Sequence, residues 1–297
     1  MIVPKVDVQP IRTLSGHSGC LVELCLAGDY YFVRKTSASP EYNARLGSQI
    51  DKQIALSRII PTPAIYDRGE KDGLLFFDME FVRGHGFISY APLQSINDLC
   101  AIVERLTKSI KLLADTSSGC LSPTQFEAKL ESLARIIPHS PFFSDYSGFL
   151  LDLMATLTAE DWSNIPRSLC HGDLTVENMM LTDDGSIVFI DFLDGDLESV
   201  WMDIAKLIQD LKSGWSLRSL LWTGETAASS RLLQTLTRYL AEEVDMQMMT
   251  AFPSLRKRLA PLRAIQALRV LPYIKDRETF SHVVSGLREI ELTKEFA

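Results

Sequence analysis

The stretch of this chain that leaves the fewest folding options runs from Leu169 to Phe192. Two short apolar runs, Met179-Met180-Leu181 and Ile187-Val188-Phe189-Ile190, flank the dipeptide Asp184-Gly185. Apolar runs on either side of an Asp-Gly pair are a strong local signal for an antiparallel hairpin, because glycine readily enters the positive-φ region that a tight turn needs. The expected hairpin pairs residues 179–181 with 187–190. Asn178, just before the first strand, and Asp191, just after the second, then return to the same rim. Upstream lies His171-Gly172-Asp173, with Asn178 five residues after Asp173 and Asp191 a further 13 residues on.

That spacing has a mechanical meaning. An aspartate on a loop can accept the proton of an attacking hydroxyl. An asparagine and an aspartate supply two hard oxygen ligands of the kind that hold Mg²⁺ against the β- and γ-phosphates of a nucleotide. The order and spacing of His, Asp and Asn, followed by an Asp after an apolar strand, are those of a kinase catalytic loop.

At these residues the chain resembles the superfamily of aminoglycoside phosphotransferases, choline kinases and homoserine-kinase-like enzymes. In that superfamily the loop begins His-Gly-Asp and the metal-binding Asp lies in Ile-Asp-Phe or Ile-Asp-Trp, which His171-Gly172-Asp173 and Ile190-Asp191-Phe192 match. The resemblance implies that Asp173 is the catalytic base, that Asn178 and Asp191 bind Mg²⁺, and that His171 is a structural prop. It extends to Asp203-Ile204-Ala205, similar to an Asp-Leu-Ala element whose Asp steadies the catalytic loop. It implies an α+β, two-lobed protein-kinase-like fold, ATP and Mg²⁺ as donor and metal, and a small-molecule hydroxyl as acceptor. The wording of the island is similar to kinases of surface-polysaccharide gene clusters. The expected acceptors are therefore a sugar or polyol first, then an amino alcohol, then an aminoglycoside.

The N-terminal region predicts the small antiparallel sheet of such a fold. Ile11 to Leu14, the turn Ser15-Gly16-His17-Ser18-Gly19, Cys20 to Leu26 and Tyr30 to Lys35 read as three strands. Ser15, Gly16, Ser18 and Gly19 are candidates to cover the nucleotide phosphates, since glycine permits close backbone approach. Arg34 and Lys35 are the candidate cations for the α/β-phosphates. Adjacent strand residues point to opposite faces, so only one can serve, and Lys35 is favoured.

Pro40 to Ser57 predicts one helix, with Tyr42, Leu46, Ile50 and Ile54 at helical spacing and Pro61 and Pro63 beyond its end. A kinase normally pairs its cation with a helix glutamate, yet Glu41 stands only at the start of this segment. Gln49, Asp51 and Gln53 occupy more suitable positions. Ala64 to Tyr66, the turn Asp67 to Gly73 and Leu74 to Val82 predict a closing hairpin. The end of its second strand resembles the family's linker strand, which makes the backbone groups of Glu80 and Val82 candidates to read the adenine edge.

The expected nucleotide-binding lobe is thus residues 1–83, with Arg83-Gly84-His85-Gly86 as the linker. The expected catalytic and acceptor-binding helical lobe is 84–297, with helices at Ile96–Ala114, Thr124–Ile137, Gly148–Leu157, Trp201–Lys212, Arg231–Met249, Leu255–Leu271 and Arg277–Leu292. The short hairpin lies among them. Asp194 and Asp196, with Glu198, stand close enough in sequence to the metal site to line an acceptor pocket. Arg256, Lys257, Arg258, Arg263 and Arg269 form a basic tract at helical spacing, which could hold an anionic acceptor but reads first as a solvated face.

Composition narrows the partners. A net charge of −8, with no concentrated Lys/Arg stretch, makes nucleic acid an unexpected partner. No apolar run approaches the roughly 18 residues of a membrane span, and the N-terminus lacks signal-peptide features, so a cytoplasmic protein without a membrane partner is expected. Five scattered cysteines and five histidines without ligand spacing speak against a disulfide framework or zinc. A catalytically inactive, nucleotide-binding scaffold is the other reading, motivated by the absent helix glutamate. Protein-directed phosphorylation has less support, because no Ala-Pro-Glu-like end of an activation segment follows Asp191.

Overall fold

A computed structural model of the chain describes residues 8–14, 19–217 and 227–292, with 227–233 and 291–292 described by their backbone alone. The chain divides into two compact units, one of residues 1–86 and 178–194, the other of 87–177 and 195–297.

The first unit is built on a five-stranded antiparallel sheet of order β1-β2-β3-β5-β4. Its strands are β1 (Gln9–Thr13), β2 (Leu21–Ala27), β3 (Tyr30–Thr36), β4 (Ile65–Lys71) and β5 (Leu74–Glu80). One helix, α1 (Asn43–Leu56), interrupts it after a 3-10 turn at Pro40–Tyr42. Leu46 and Ile50 of α1 pack with Cys20 and Phe77 on one face of the sheet, while Cys25, Ala27 and Phe32 form a second cluster. Arg34 lies directly opposite Asp78, and Lys35 directly opposite Phe77. Alternation along β3 therefore sends Lys35 to the helix-covered face and Arg34 to the other.

The closing hairpin departs from its expected shape. Its turn is Asp72-Gly73, with φ of +53° and +75°, rather than the whole stretch from Asp67 to Gly73. Two consecutive positive-φ residues of the Asp-Gly type are those of a two-residue hairpin connection. Gly69, which looks like a turn residue, lies inside β4 opposite Phe76, and a Cβ there would come within 2.9 Å of that ring. The glycine makes room for the aromatic.

The same unit contains a three-stranded sheet, β6 (His85–Gly86), β7 (Met179–Leu181) and β8 (Ile187–Phe189), in that order. The Asp184-Gly185 hairpin forms with Met179 opposite Phe189 and Leu181 opposite Ile187. The expected linker at 83–86 is instead partly a strand, because His85 and Gly86 pair with Leu181 and Met180. Gly84 allows it. A Cβ at that position would lie 2.5 Å from the Leu181 carbonyl oxygen.

In the second unit the described helices include α2 (Phe87–Tyr90), α3 (Ile96–Ala114), α4 (Pro123–Ile136), α5 (Ser147–Thr158), α6 (Val200–Ser213), α7 (Ala227–Ala251), α8 (Leu259–Leu268) and α9 (Arg277–Leu292). Ser95 and Ser122 open α3 and α4 with reciprocal capping boxes. Ser199 caps α6, and Gly214 at φ +63° ends it. The α6 helix is buried from Val200 to Leu211 and packs against α8, every residue of which is buried.

The helix expected at Leu255–Leu271 is divided. Pro253–Lys257 is a 3-10 turn and α8 begins at Leu259, so that Pro261 falls in the first turn, where its missing N–H leaves no bond unmade. The basic tract is a solvated face only in part, with Arg256 and Lys257 exposed. Arg263 is buried, and the Arg258 guanidinium donates to Glu160 at 2.7 Å and to Asp161 at 2.8 Å. Among the described residues no helix is long and apolar enough to cross a membrane.

Candidate active site

The first unit holds the nucleotide- and metal-side candidates. The Lys35 side chain is buried, lies 3.5 Å from Oε1 of Gln49 and forms an ion pair with Asp191. Of the three residues offered as replacements for the helix glutamate, Gln49 is thus the one that meets the cation. Asp51 is exposed and reaches Arg68 at 3.3 Å, and Gln53 donates to the Pro63 carbonyl at 2.8 Å. A neighbour that the sequence did not suggest, Lys52, donates to the Leu193 carbonyl at 2.6 Å.

Arg34 is engaged elsewhere. Its Nε and Nη2 donate to the two carboxylate oxygens of Asp78 at 2.7 and 2.8 Å, and its guanidinium lies 4.3 Å from the Phe76 ring centroid. Hydrogen bonding to Asp78, partly opposed by burial, pushes the guanidinium above its ordinary pKa.

Asn178 and Asp191 sit at one end of the β7–β8 hairpin. The Ile190 N–H donates to the Asn178 carbonyl at 3.0 Å, continuing the ladder by one step and bringing Asn178 beside the residue that precedes Asp191. Asp191 has φ of +65°, one of three positive values among described non-glycine residues. Its side chain is 41% exposed. No group of three or more His, Cys, Asp or Glu that could hold a metal ion occurs among the described residues. One amide oxygen and one carboxylate fit Mg²⁺ even so, because that ion keeps several waters and takes phosphate oxygens rather than an all-protein cage.

The remaining nucleotide-side candidates are placed as follows. Gly19 has φ of +74°, whereas Ser15, Gly16 and Ser18 lie outside the described residues. Glu80 ends β5, and its N–H donates to the Ala64 carbonyl at 2.8 Å. Val82 is buried.

The second unit holds the candidate catalytic loop. The Asp203 carboxylate receives the N–H groups of His171 and Gly172, the latter at 2.8 Å. Both His171 and Asp203 are 1% exposed. Gly172 at φ +88° makes the bend that lets one side chain take two successive amides. The Asp173 N–H then faces Nδ1 of His171 at 3.3 Å. Further along, the Val176 N–H donates to Asp210 at 2.9 Å. Asp210 also accepts from the N–H and hydroxyl of Ser216. Burial pushes the Asp210 carboxyl above the usual range, while these donors and the charge of Lys206 pull it down.

Two residues absent from the sequence reading therefore touch this loop, Asp210 and Lys206. The Lys206 Nζ lies 3.9 Å from Oδ1 of Asp173. In the run Asp203-Ile204-Ala205-Lys206-Leu207-Ile208-Gln209-Asp210 the charged residues recur three and four apart on a helix, a spacing shared by residues that face water.

Among the acceptor candidates, Asp194 is exposed and belongs to the first unit. Asp196 is exposed in the second, where its carbonyl accepts from Gln125 at 2.6 Å. Glu198 has a structural engagement, accepting the Cys170 thiol at 3.2 Å and the Gly195 N–H at 3.2 Å.

Residues 25–240 match the model of the phosphotransferase enzyme family. No curated protein sequence matches the chain. Among solved structures it is similar to the aminoglycoside phosphotransferase APH(4)-Ia, with a TM-score of 0.60 and 16% identity over 98% of this chain and 95% of that one. It is also similar to a putative fructosamine-3-kinase from Haemophilus somnus 129PT, with a TM-score of 0.57 and 16% identity over 97% and 92%. A third is the streptomycin–ATP–APH(2")-IIa ternary complex, with a TM-score of 0.58 and 13% identity over 99% and 95%. At these identities the likeness is one of fold: a kinase-like fold with an N-terminal antiparallel sheet and a mainly helical remainder carrying a small three-stranded sheet.

Proposed function

The chain belongs to the phosphotransferase enzyme family, and from that premise we propose that it transfers the γ-phosphoryl group of ATP to a hydroxyl of a small molecule, with Mg²⁺. The observation that carries the reading is the tethering of the His171–Asp173 loop by both oxygens of one buried carboxylate, Asp203. A general base is more effective when its position is held in advance of the substrate.

In the proposed reaction the acceptor oxygen attacks the γ-phosphorus while the bond to the β,γ-bridging oxygen breaks. That electron pair leaves with ADP, and the hydroxyl proton passes to the Asp173 carboxylate. Lys35, held by Gln49 and Asp191, is the cation for the α/β-phosphates. Asn178 and Asp191 are the proposed ligands of Mg²⁺, which when bound would neutralise charge on the phosphate oxygens.

The names of the related structures speak of aminoglycosides, fructosamine and streptomycin. For this chain we take the acceptor class to be a polyhydroxy compound, a sugar or polyol before an amino alcohol or aminoglycoside. Asp194 and Asp196 are its proposed hydrogen-bond partners. The scaffold reading rested on the missing helix glutamate, and the contacts of Lys35 with Gln49 and Asp191 weaken that motive.

Coupled detection of ADP release across an acceptor panel tests the proposal. Asp173→Ala should abolish acceptor-dependent turnover and leave ATP binding largely intact, whereas Asp191→Ala should weaken binding of Mg²⁺-nucleotide. Wild-type turnover in both variants would overturn the assignment.

A further inference from the structure

Four polar side chains of α6 are buried: Asp203, Lys206, Gln209 and Asp210. Asp203, Lys206 and Asp210 are spaced three and four residues apart and so share one face of the helix. Each meets a different point of the catalytic loop. Asp203 takes the amides of His171 and Gly172, Asp210 takes that of Val176, and Lys206 lies between them in sequence, against Asp173.

A buried ammonium is costly to desolvate unless it is paired, and an apolar side chain of the same length would fill the space without that cost. Lys206 is 4% exposed. Its Nζ has Gln209 Oε1 at 3.4 Å and Asp173 Oδ1 at 3.9 Å, and it interacts electrostatically with Asp210. Packing alone does not account for a charge in this place.

The geometry points to Lys206 as a positioning residue for Asp173, an assignment that rests on the reading of Asp173 as the base. An ammonium drawn to Oδ1 limits rotation of the carboxylate and presents its other oxygen, Oδ2, to the acceptor hydroxyl. It also offsets the repulsion between the carboxylate and the polyphosphate, both of which are negative. Lys206 gains and loses no proton in the step: the hydroxyl proton ends on Asp173 and the electron pair leaves with ADP.

The test uses the full-length protein with ATP, Mg²⁺ and an acceptor found by the panel. Lys206→Met should lower kcat by about 100-fold, the scale of a misplaced catalytic group, while the KM values for ATP and acceptor stay within about threefold. Lys206→Arg, which restores the charge, should recover part of the loss. In an Asp173→Asn background, Lys206→Met should add little, because the two residues act as a unit.

A kcat for Lys206→Met within about threefold of wild type overturns the assignment and leaves the proposed function standing. A wild-type protein that transfers to no acceptor overturns both. Should the Lys206 variants fail to fold, a lysine-selective ¹⁵N spectrum of wild type and Asp173→Asn decides the matter. One ammonium resonance should move with the loss of the carboxylate's charge, and a spectrum in which none moves overturns the pairing.

Discussion

Arg34 and Lys35 are neighbours in sequence that hold different carboxylates: Arg34 grips Asp78 on one face of the sheet, and Lys35 meets Asp191 on the other. Replacing Arg34 by alanine should leave the 2% exposed Asp78 as an uncompensated buried charge. The expected cost is about 3 kcal/mol in urea unfolding, with little change in ATP KM for protein that remains folded. Lys35→Ala should do the reverse, raising ATP KM by about 10-fold with a smaller loss of stability. Unfolding curves and steady-state kinetics on the two variants separate the roles.

Three α1 residues offered as partners of the cation should behave differently. Gln49→Ala is expected to raise ATP KM by a few-fold, because it removes one of the two groups that hold the Lys35 ammonium, and Gln49→Glu should preserve activity. Asp51→Ala should change neither kinetics nor stability by more than about 0.5 kcal/mol, since its pair with Arg68 is exposed. Gln53→Ala should lower the unfolding midpoint without altering KM, because it leaves the Pro63 carbonyl without its side-chain donor. Equal kinetic effects from all three would refute this division.

Asp161 supplies a pH dependence. Hydrogen bonds from Ser163, aided by Arg258, hold its carboxyl down at about 2, below the ordinary value of 3.8. A depressed carboxylate adds stability that is fully present above the unfolded-state pKa and is lost as pH falls through the folded-state value. Wild type should therefore exceed Asp161→Asn in stability at neutral pH, and the gap should shrink as pH is lowered from about 4 towards about 2. Urea unfolding of both proteins over a pH series reads this. A gap that widened on acidification would contradict the sign.

Gly84→Ala should be among the most damaging single-methyl additions in the first unit, because its Cβ would meet backbone, the Leu181 carbonyl oxygen at 2.5 Å. The β6 pairing must shift to relieve it, at a cost of about 1–3 kcal/mol. Hydrogen exchange should show weakened protection at Gly86 and Leu181, while β2 and β3 retain theirs. Uniform protection would mean that the strand had moved at no cost.

Much of this was legible because short signals carried their own geometry. Asp184-Gly185 between apolar runs specified the β7–β8 hairpin, and β-alternation stated that Arg34 and Lys35 must part company. Where the reading failed, the deciding contact was long-range. Asp67 and Gly69 look like turn residues, yet Gly69 is required inside β4 by the ring of Phe76, a fact of cross-strand packing. A two-residue strand such as β6 has no periodicity, and only the closeness of Gly84 to Leu181 marks it. The polar face of α6 was hidden for another reason. Charged residues at helical spacing usually face water, and nothing local says that Lys206 and Asp210 are turned inward.

The φ of +65° at Asp191 places a side-chain-bearing residue where the backbone would be most comfortable with glycine. Such a conformation costs on the order of 1 kcal/mol, but Asp191→Gly also removes the carboxylate that pairs with the buried Lys35, a larger loss than the strain relieved, so the variant should be less resistant to unfolding. Backbone strain and a buried cation then press on a single codon in opposite directions, and the cation is the stronger. A screen that enriched variants by thermal survival alone would therefore hold the aspartate in place, as would one that demanded turnover.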